Sequence, residues 1–152
     1  MVTNVVFSIS SGCIFYLHEE FHVQIIYYNI KLENILMDDK GHAKIADFGL
    51  AKLLMPNQSK TFTGIRGTRG YVEPEWHWNM PIIVKVDVYS FGVMLFEIIC
   101  CCWNVEVNVR DNKEVLVNWV YHCFKANELQ RLVPEDEVDK KKLERVVKVG
   151  LW

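Results

Sequence analysis

Tyr27-Tyr28-Asn29-Ile30-Lys31-Leu32-Glu33-Asn34, followed after a short interval by Asp47-Phe48-Gly49, organises the rest of the chain around it. Asn29 and Asn34 stand five residues apart, with Lys31 two residues after the first of them. Between the two stretches, the apolar segments Ile35-Leu36-Met37 and Ala43-Lys44-Ile45-Ala46 flank Asp38-Asp39-Lys40-Gly41. That composition favours a tight turn, so residues 35–46 are predicted to form a small hairpin. Asp47 then emerges at the hairpin's end, and residues 25–34 read as the loop that leads into it.

Upstream, residues 5–23 read as a helix with an apolar stripe of Ile9, Ile14, Phe15, Leu17 and Phe21, weakened in its middle by Ser10-Ser11-Gly12. Downstream, Leu50 to Tyr71 carries Pro56, Asn57, Gly64, Gly67 and Gly70 and reads as a long surface loop, a length that is usually functional or disordered. Residues 84–102 are nearly all apolar, with Asp87 in the first turn, which is the pattern of a helix buried on all sides. A polar stretch from Asn104 to Lys113 precedes an amphipathic helix over 115–124. A last helix is expected over 139–152, with Leu143, Val146, Val147 and Gly150 on one side and Lys140-Lys141-Lys142 as a solvated face near its start.

The chain has 152 residues, 51% of them hydrophobic, which is enough for one core and short for two. A formal net charge of −2 gives no electrostatic reason to expect nucleic acid as a partner. Cys13, the run Cys100-Cys101-Cys102, and Cys123 match neither a CxxC metal pair nor a secreted disulfide framework, so reduced thiols in the cytoplasm are expected. The apolar stretch from Met1 to Leu17 has no Lys or Arg before it and no cleavage site after it, which argues against a signal peptide. Lys85, Asp87 and Glu97 interrupt the longest apolar window, so no membrane span is expected. The sequon Asn57-Gln58-Ser59 is chemically silent in a cytosolic protein.

Five ordered segments carry a resemblance. They are Tyr16-Leu17-His18-Glu19-Glu20, the loop 27–34, Lys44-Ile45-Ala46-Asp47-Phe48-Gly49-Leu50-Ala51, the run from Gly64 to Trp76, and Val84-Lys85-Val86-Asp87-Val88-Tyr89-Ser90-Phe91-Gly92-Val93. Together they resemble the C-terminal lobe of a plant receptor-like serine/threonine kinase, most like the S-receptor-like group with lectin ectodomains. The resemblance implies a mainly α fold, a kinase-like C-lobe in which a helical subdomain carries a small β-hairpin, with residues 1–152 forming a partial kinase domain. Residues 25–34 would be its catalytic loop and 47–75 its activation segment. The family transfers phosphate from ATP to Ser or Thr, with magnesium (Mg2+) as the metal. By resemblance, Asn34 and Asp47 inherit the metal roles, Asn29 occupies the position of the catalytic base, and Lys31 could neutralise the transferring phosphoryl. Thr68 would shape the substrate platform, and Ser59, Thr61 and Thr63 lie where such kinases carry activation-loop phosphosites. Asp87 would hydrogen-bond the catalytic-loop backbone, a position that also suits a carboxylate near the positive end of a helix. Glu75 would be the A-P-E glutamate that pairs with an Arg of a later helix.

The departures point away from catalysis. Tyr27, Tyr28 and Asn29 stand where the family has His, Arg and Asp, Leu32 replaces a proline, and Glu73 replaces the Ala of A-P-E. An amide takes no proton near neutral pH, and losing a positioned base costs on the order of 10²–10⁴ in rate. With Tyr28 in the Arg position, activation through an Arg and phosphate pair is not available. No Gly-rich loop, strand Lys or helix Glu is found upstream of residue 10, so the N-lobe is expected to be absent. The chain also stops before the helix that would supply the partner of Glu75. The expectation is therefore a truncated kinase domain of impaired activity, cytoplasmic, its parent a plasma-membrane receptor. The alternatives are a non-catalytic scaffold that binds a kinase or receptor partner, and a degenerate gene fragment.

Overall fold

In the computed structural model, which describes residues 13–20, 22–55, 84–102, 108–109, 112–113, 115–133 and 139–151, the turn at Asp38 is built by the residues that predict it. The Asp38 carboxylate accepts from the Lys40 and His42 N–H groups at 3.0 and 2.9 Å, and Gly41 sits at φ +79°, where a side chain would be strained. The His42 N–H and then Lys44, whose ammonium lies 3.2 Å away, hold the Asp38 carboxyl well below the usual carboxylate range. The flanking strands β2 (Ile35–Met37) and β3 (Ala43–Ile45) pair antiparallel, with Ile35 opposite Ile45 and Met37 opposite Ala43.

The chain divides into two compact units, residues 1–90 and 91–152. In the first, Ile26, Tyr28, Leu54 and Val86 form a buried cluster against which Leu50 and Val84 pack. Residues 13–20 (α1) are helical, the last five, Tyr16–Glu20, in a π-helical turn. The helix expected over 5–23 is therefore shorter at its C-terminal end: bends at 22 and 23 lead into β1 (Ile25–Ile26). Periodicity misplaces this boundary because β1 is drawn out by a distant partner, β4 (Lys52–Leu53), with Ile25 opposite Leu53 and Ile26 opposite Lys52. The same pairing corrects the reading of 25–34 and of Leu50 to Tyr71 as loop throughout. Residues 5–12 of the expected helix lie outside the described residues, as does most of the long loop.

In the second unit, Phe96, Leu116, Val120, Cys123, Leu132, Leu143 and Val147 form the core. The apolar run becomes α2 (Lys85–Cys100), and residues 90–97 are buried on every side. α3 (Leu116–Lys125) ends where Asn127 adopts a left-handed conformation at φ +59°. There the N–H groups of Asn127 and Glu128 reach the Phe124 and Cys123 carbonyls, satisfying the last turn. α4 (Lys140–Leu151) is capped at its start by Asp139, which accepts from the Lys141 and Lys142 N–H groups. The stretch before α3, read as simply polar, also contains a short antiparallel pair, β5 (Asn108–Val109) with β6 (Asn112–Lys113), which the alternation of Val105, Val107 and Val109 with polar residues announces. Among the described residues no helix is long and apolar enough to cross a membrane.

Candidate functional site

Asp87, in the first turn of α2 and with no exposed surface, anchors the loop. Its two oxygens accept from the backbone N–H groups of Tyr27 and Tyr28, each at 2.8 Å, and one of them lies 2.9 Å from His18 Nε2 on α1. A buried carboxylate is tolerable only with such partners, and removing one side of a buried pair typically costs about 3–5 kcal/mol. The contact is demanding because Tyr28 is held at φ +66°, a region that bulky residues rarely occupy. Its ring is buried in the cluster with Ile26, Leu54 and Val86, so the position that holds an Arg in the resembled family serves here as a core residue.

Tyr27 is buried as well and reaches the other way, its hydroxyl donating to the Ala46 carbonyl and its ring meeting Phe48 edge-on at 5.1 Å. Burial, with the nearby Asp47 charge adding to it, pushes its phenol up to about 12. Residues 27–34 are thereby tied to the end of β3.

The geometry brings Asn29, Asn34 and Asp47 together. Asn29 is buried and its Nδ2 donates to Asp47 Oδ2 at 3.1 Å, while its backbone carbonyl accepts from Asn34 Nδ2 at 2.8 Å. Asn34, also buried, accepts the Ala46 N–H on its own carbonyl at 2.9 Å. Asp47 is exposed, sits at φ +61°, and caps the turn Phe48–Leu50 by accepting from the Gly49 N–H at 3.3 Å. Lys31, extended and half-buried ahead of the turn Leu32–Asn34, accepts the Asn34 N–H on its carbonyl at 3.1 Å. Ser59, Thr61, Thr63, Thr68 and Glu75 lie outside the described residues.

One exposed carboxylate and one amide oxygen suit a hard cation that keeps water and shares its remaining positions with substrate phosphate. Asp47 and Asn34 fit magnesium in that sense. Among the described residues no group of three or more His, Cys, Asp or Glu could form an all-protein metal cage. Two features carry no role in the sequence reading: His18 as a partner of Asp87, and the Tyr27 hydroxyl. The available signal for His18 was a polar residue next to Leu17 on the apolar face of a helix. For Tyr27 there was none, because its acceptor is a backbone carbonyl.

Residues 2–148 match the sequence model of the protein kinase domain. The chain is 54% identical over 141 residues to the G-type lectin S-receptor-like serine/threonine-protein kinase LECRK4 of rice (Oryza sativa subsp. indica), covering 90% of this chain and 18% of that protein. It is 52% identical over 152 residues to LECRK2 of Oryza sativa subsp. japonica, covering 97% of this chain and 19% of the relative. The identity to RLK1 of Arabidopsis thaliana, of the same description, is 50% over 152 residues, 98% of this chain and 18% of that protein. The chain thus spans under a fifth of the length of these curated relatives. With nearly its whole length matched and its Asn34 and Asp47 drawn together around a buried loop, the chain belongs to the protein kinase domain family.

Proposed function

We propose that this chain is the C-lobe portion of the kinase domain of a receptor-like serine/threonine kinase, and that Asn29 leaves it impaired in phosphoryl transfer. One observation carries the reading: at the position of the base, the Asn29 side chain donates a hydrogen bond to Asp47. A carboxylate there would accept the proton of a substrate hydroxyl, whereas the amide presents hydrogens to a neighbouring carboxylate and takes up no proton. The rest of the site fits the family chemistry. Asp47 and Asn34 would hold magnesium, which when bound neutralises the phosphates of ATP. Lys31, two residues after Asn29, is placed by sequence to meet the transferring phosphoryl. The buried Asp87 and Tyr27 contacts position the loop.

The test is phosphate transfer from labelled Mg·ATP to a generic serine/threonine substrate by the purified chain. Transfer no greater than that of Asp47→Ala is expected. Clear transfer that Asp47→Ala abolishes would overturn the impaired reading. Binding of Mn2+, followed by electron paramagnetic resonance, is expected for the chain and lost in Asp47→Ala; no binding by the unaltered chain would remove the metal assignment.

A further inference from the structure

Asp47 is the residue of the site most in need of holding. It lies in the left-handed region, it is exposed, and among the described residues no Lys, Arg or His forms an ion pair with it. What fixes it is a hydrogen bond on each carboxylate oxygen. Oδ1 accepts from the Gly49 N–H, and Oδ2 accepts from Asn29 Nδ2 at 3.1 Å. Asn29 is itself fixed, being buried and receiving Asn34 Nδ2 on its carbonyl. Asn34 in turn receives the N–H of Ala46, the residue before Asp47. The contacts close a ring from Asn29 through Asn34 and Ala46 to Asp47 and back to Asn29.

We propose that Asn29 is a latch for the metal-binding carboxylate, its neutral amide holding Asp47 in the place that a divalent cation would otherwise be needed to secure. It is a positioning residue, and the proposal rests on the reading above for the metal role of Asp47. The physical reason is charge. An aspartate at position 29 would set two carboxylates at hydrogen-bond distance with no proton between them, and like charges that close disfavour each other unless a cation intervenes. The amide replaces that repulsion with a charge-assisted donor to acceptor contact. The same substitution that removes the base therefore removes the dependence of the loop on metal.

Thermal unfolding of the purified chain in EDTA and in millimolar MgCl2 tests this, with activity playing no part. Asn29→Asp is expected to lower the midpoint in EDTA by about 4 °C or more, and magnesium to raise it further than it raises that of the unaltered chain. Asn29→Ala, which deletes the bond without adding charge, is expected to lower the midpoint in EDTA with no larger response to magnesium. The double variant N29D/D47N exchanges amide and carboxylate across the same contact and is expected to recover stability in EDTA. If N29D alone does not fold, recovery of a folded chain in the double variant supports the latch. An N29D midpoint equal to that of the unaltered chain in EDTA, or a double variant no more stable than N29D, overturns it. Recovery in the double variant with no magnesium response from N29D keeps the latch and removes the metal role of Asp47, so the two readings fail separately.

Discussion

Tyr27 shows how one buried hydroxyl can make stability depend on pH. Its phenol lies without exposed surface, donates to the Ala46 carbonyl, and has Asp47 nearby, so ionisation would place a negative charge among groups that repel it. The group is accordingly pushed from 10.0 up to about 12 in the folded chain. A folded value raised above the unfolded one means that the contribution to stability is complete below about pH 10 and is lost as pH rises through about 12. Urea unfolding between pH 8 and pH 12 should therefore show a steeper decline above pH 10 for the native chain than for Tyr27→Phe. At neutral pH the same variant should cost about 0.5–1.5 kcal/mol, the net value of one intramolecular hydrogen bond. Parallel declines for the two proteins would mean that the phenol is solvated and does not hold the end of β3.

Between elements, the contact most sensitive to sequence is the approach of α4 to the part of α2 beyond residue 91. A Cβ on Gly92 would lie 2.5 Å from the Gly150 carbonyl oxygen, and a Cβ on Gly150 would lie 2.5 Å from Phe96 Cε1. Replacing Gly by Ala inside a helix ordinarily gains up to about 1 kcal/mol, but here both changes should destabilise. Gly92→Ala meets backbone that moves only with α4 and should cost about 1–3 kcal/mol. Gly150→Ala meets a ring that can turn slightly and should cost less. Denaturant midpoints of the two variants check the order, and the reverse order would mean that backbone contact does not limit the approach. Such a contact is not legible in the sequence: Gly150 falls on the apolar side of the last helix, but nothing there pairs it with Gly92 or Phe96. What is legible acts locally or repeats: the Asp38 to Gly41 turn, the apolar run of α2, and the stripe of Leu143 and Val147 on α4. The β1 to β4 pairing joins two short segments far apart in the chain, and nothing near either one announces the other. The site divides in the same way. Asn29, Asn34 and Asp47 can be named from their spacing within a resembled family, whereas the bond between Asn29 and Asp47 exists only after the hairpin has turned the chain back.

Across the whole molecule, five thiols sample both units, and none of them is in a disulfide. Cys13 lies in residues 1–90, half-buried, with its thiol directed at the Ala43 carbonyl 3.6 Å away, and the other four lie in residues 91–152. Burial, reinforced by Cys102, holds the Cys100 thiol far above its ordinary range, and burial raises Cys102 as well. Cys123 packs in the core with Phe96, Leu116 and Val147. Since the thiolate is the reactive form, the half-buried Cys100 and Cys102 should react slowly in the folded chain, and the buried Cys123 should be inert there. Cys101, just after the end of α2, is exposed to solvent. Treating the native chain with a disulfide reagent at pH 8 should give a fastest phase that Cys101→Ser removes, slower reaction of the half-buried Cys13, Cys100 and Cys102, and reaction of Cys123 only as the second unit opens. The rate at Cys123 should rise with denaturant in step with unfolding followed by circular dichroism, because opening of the core is what exposes it. Labelling of Cys123 in the fast phase would show that the packing around Val120 and Val147 does not exclude solvent, and would remove the core on which α3 and α4 rest.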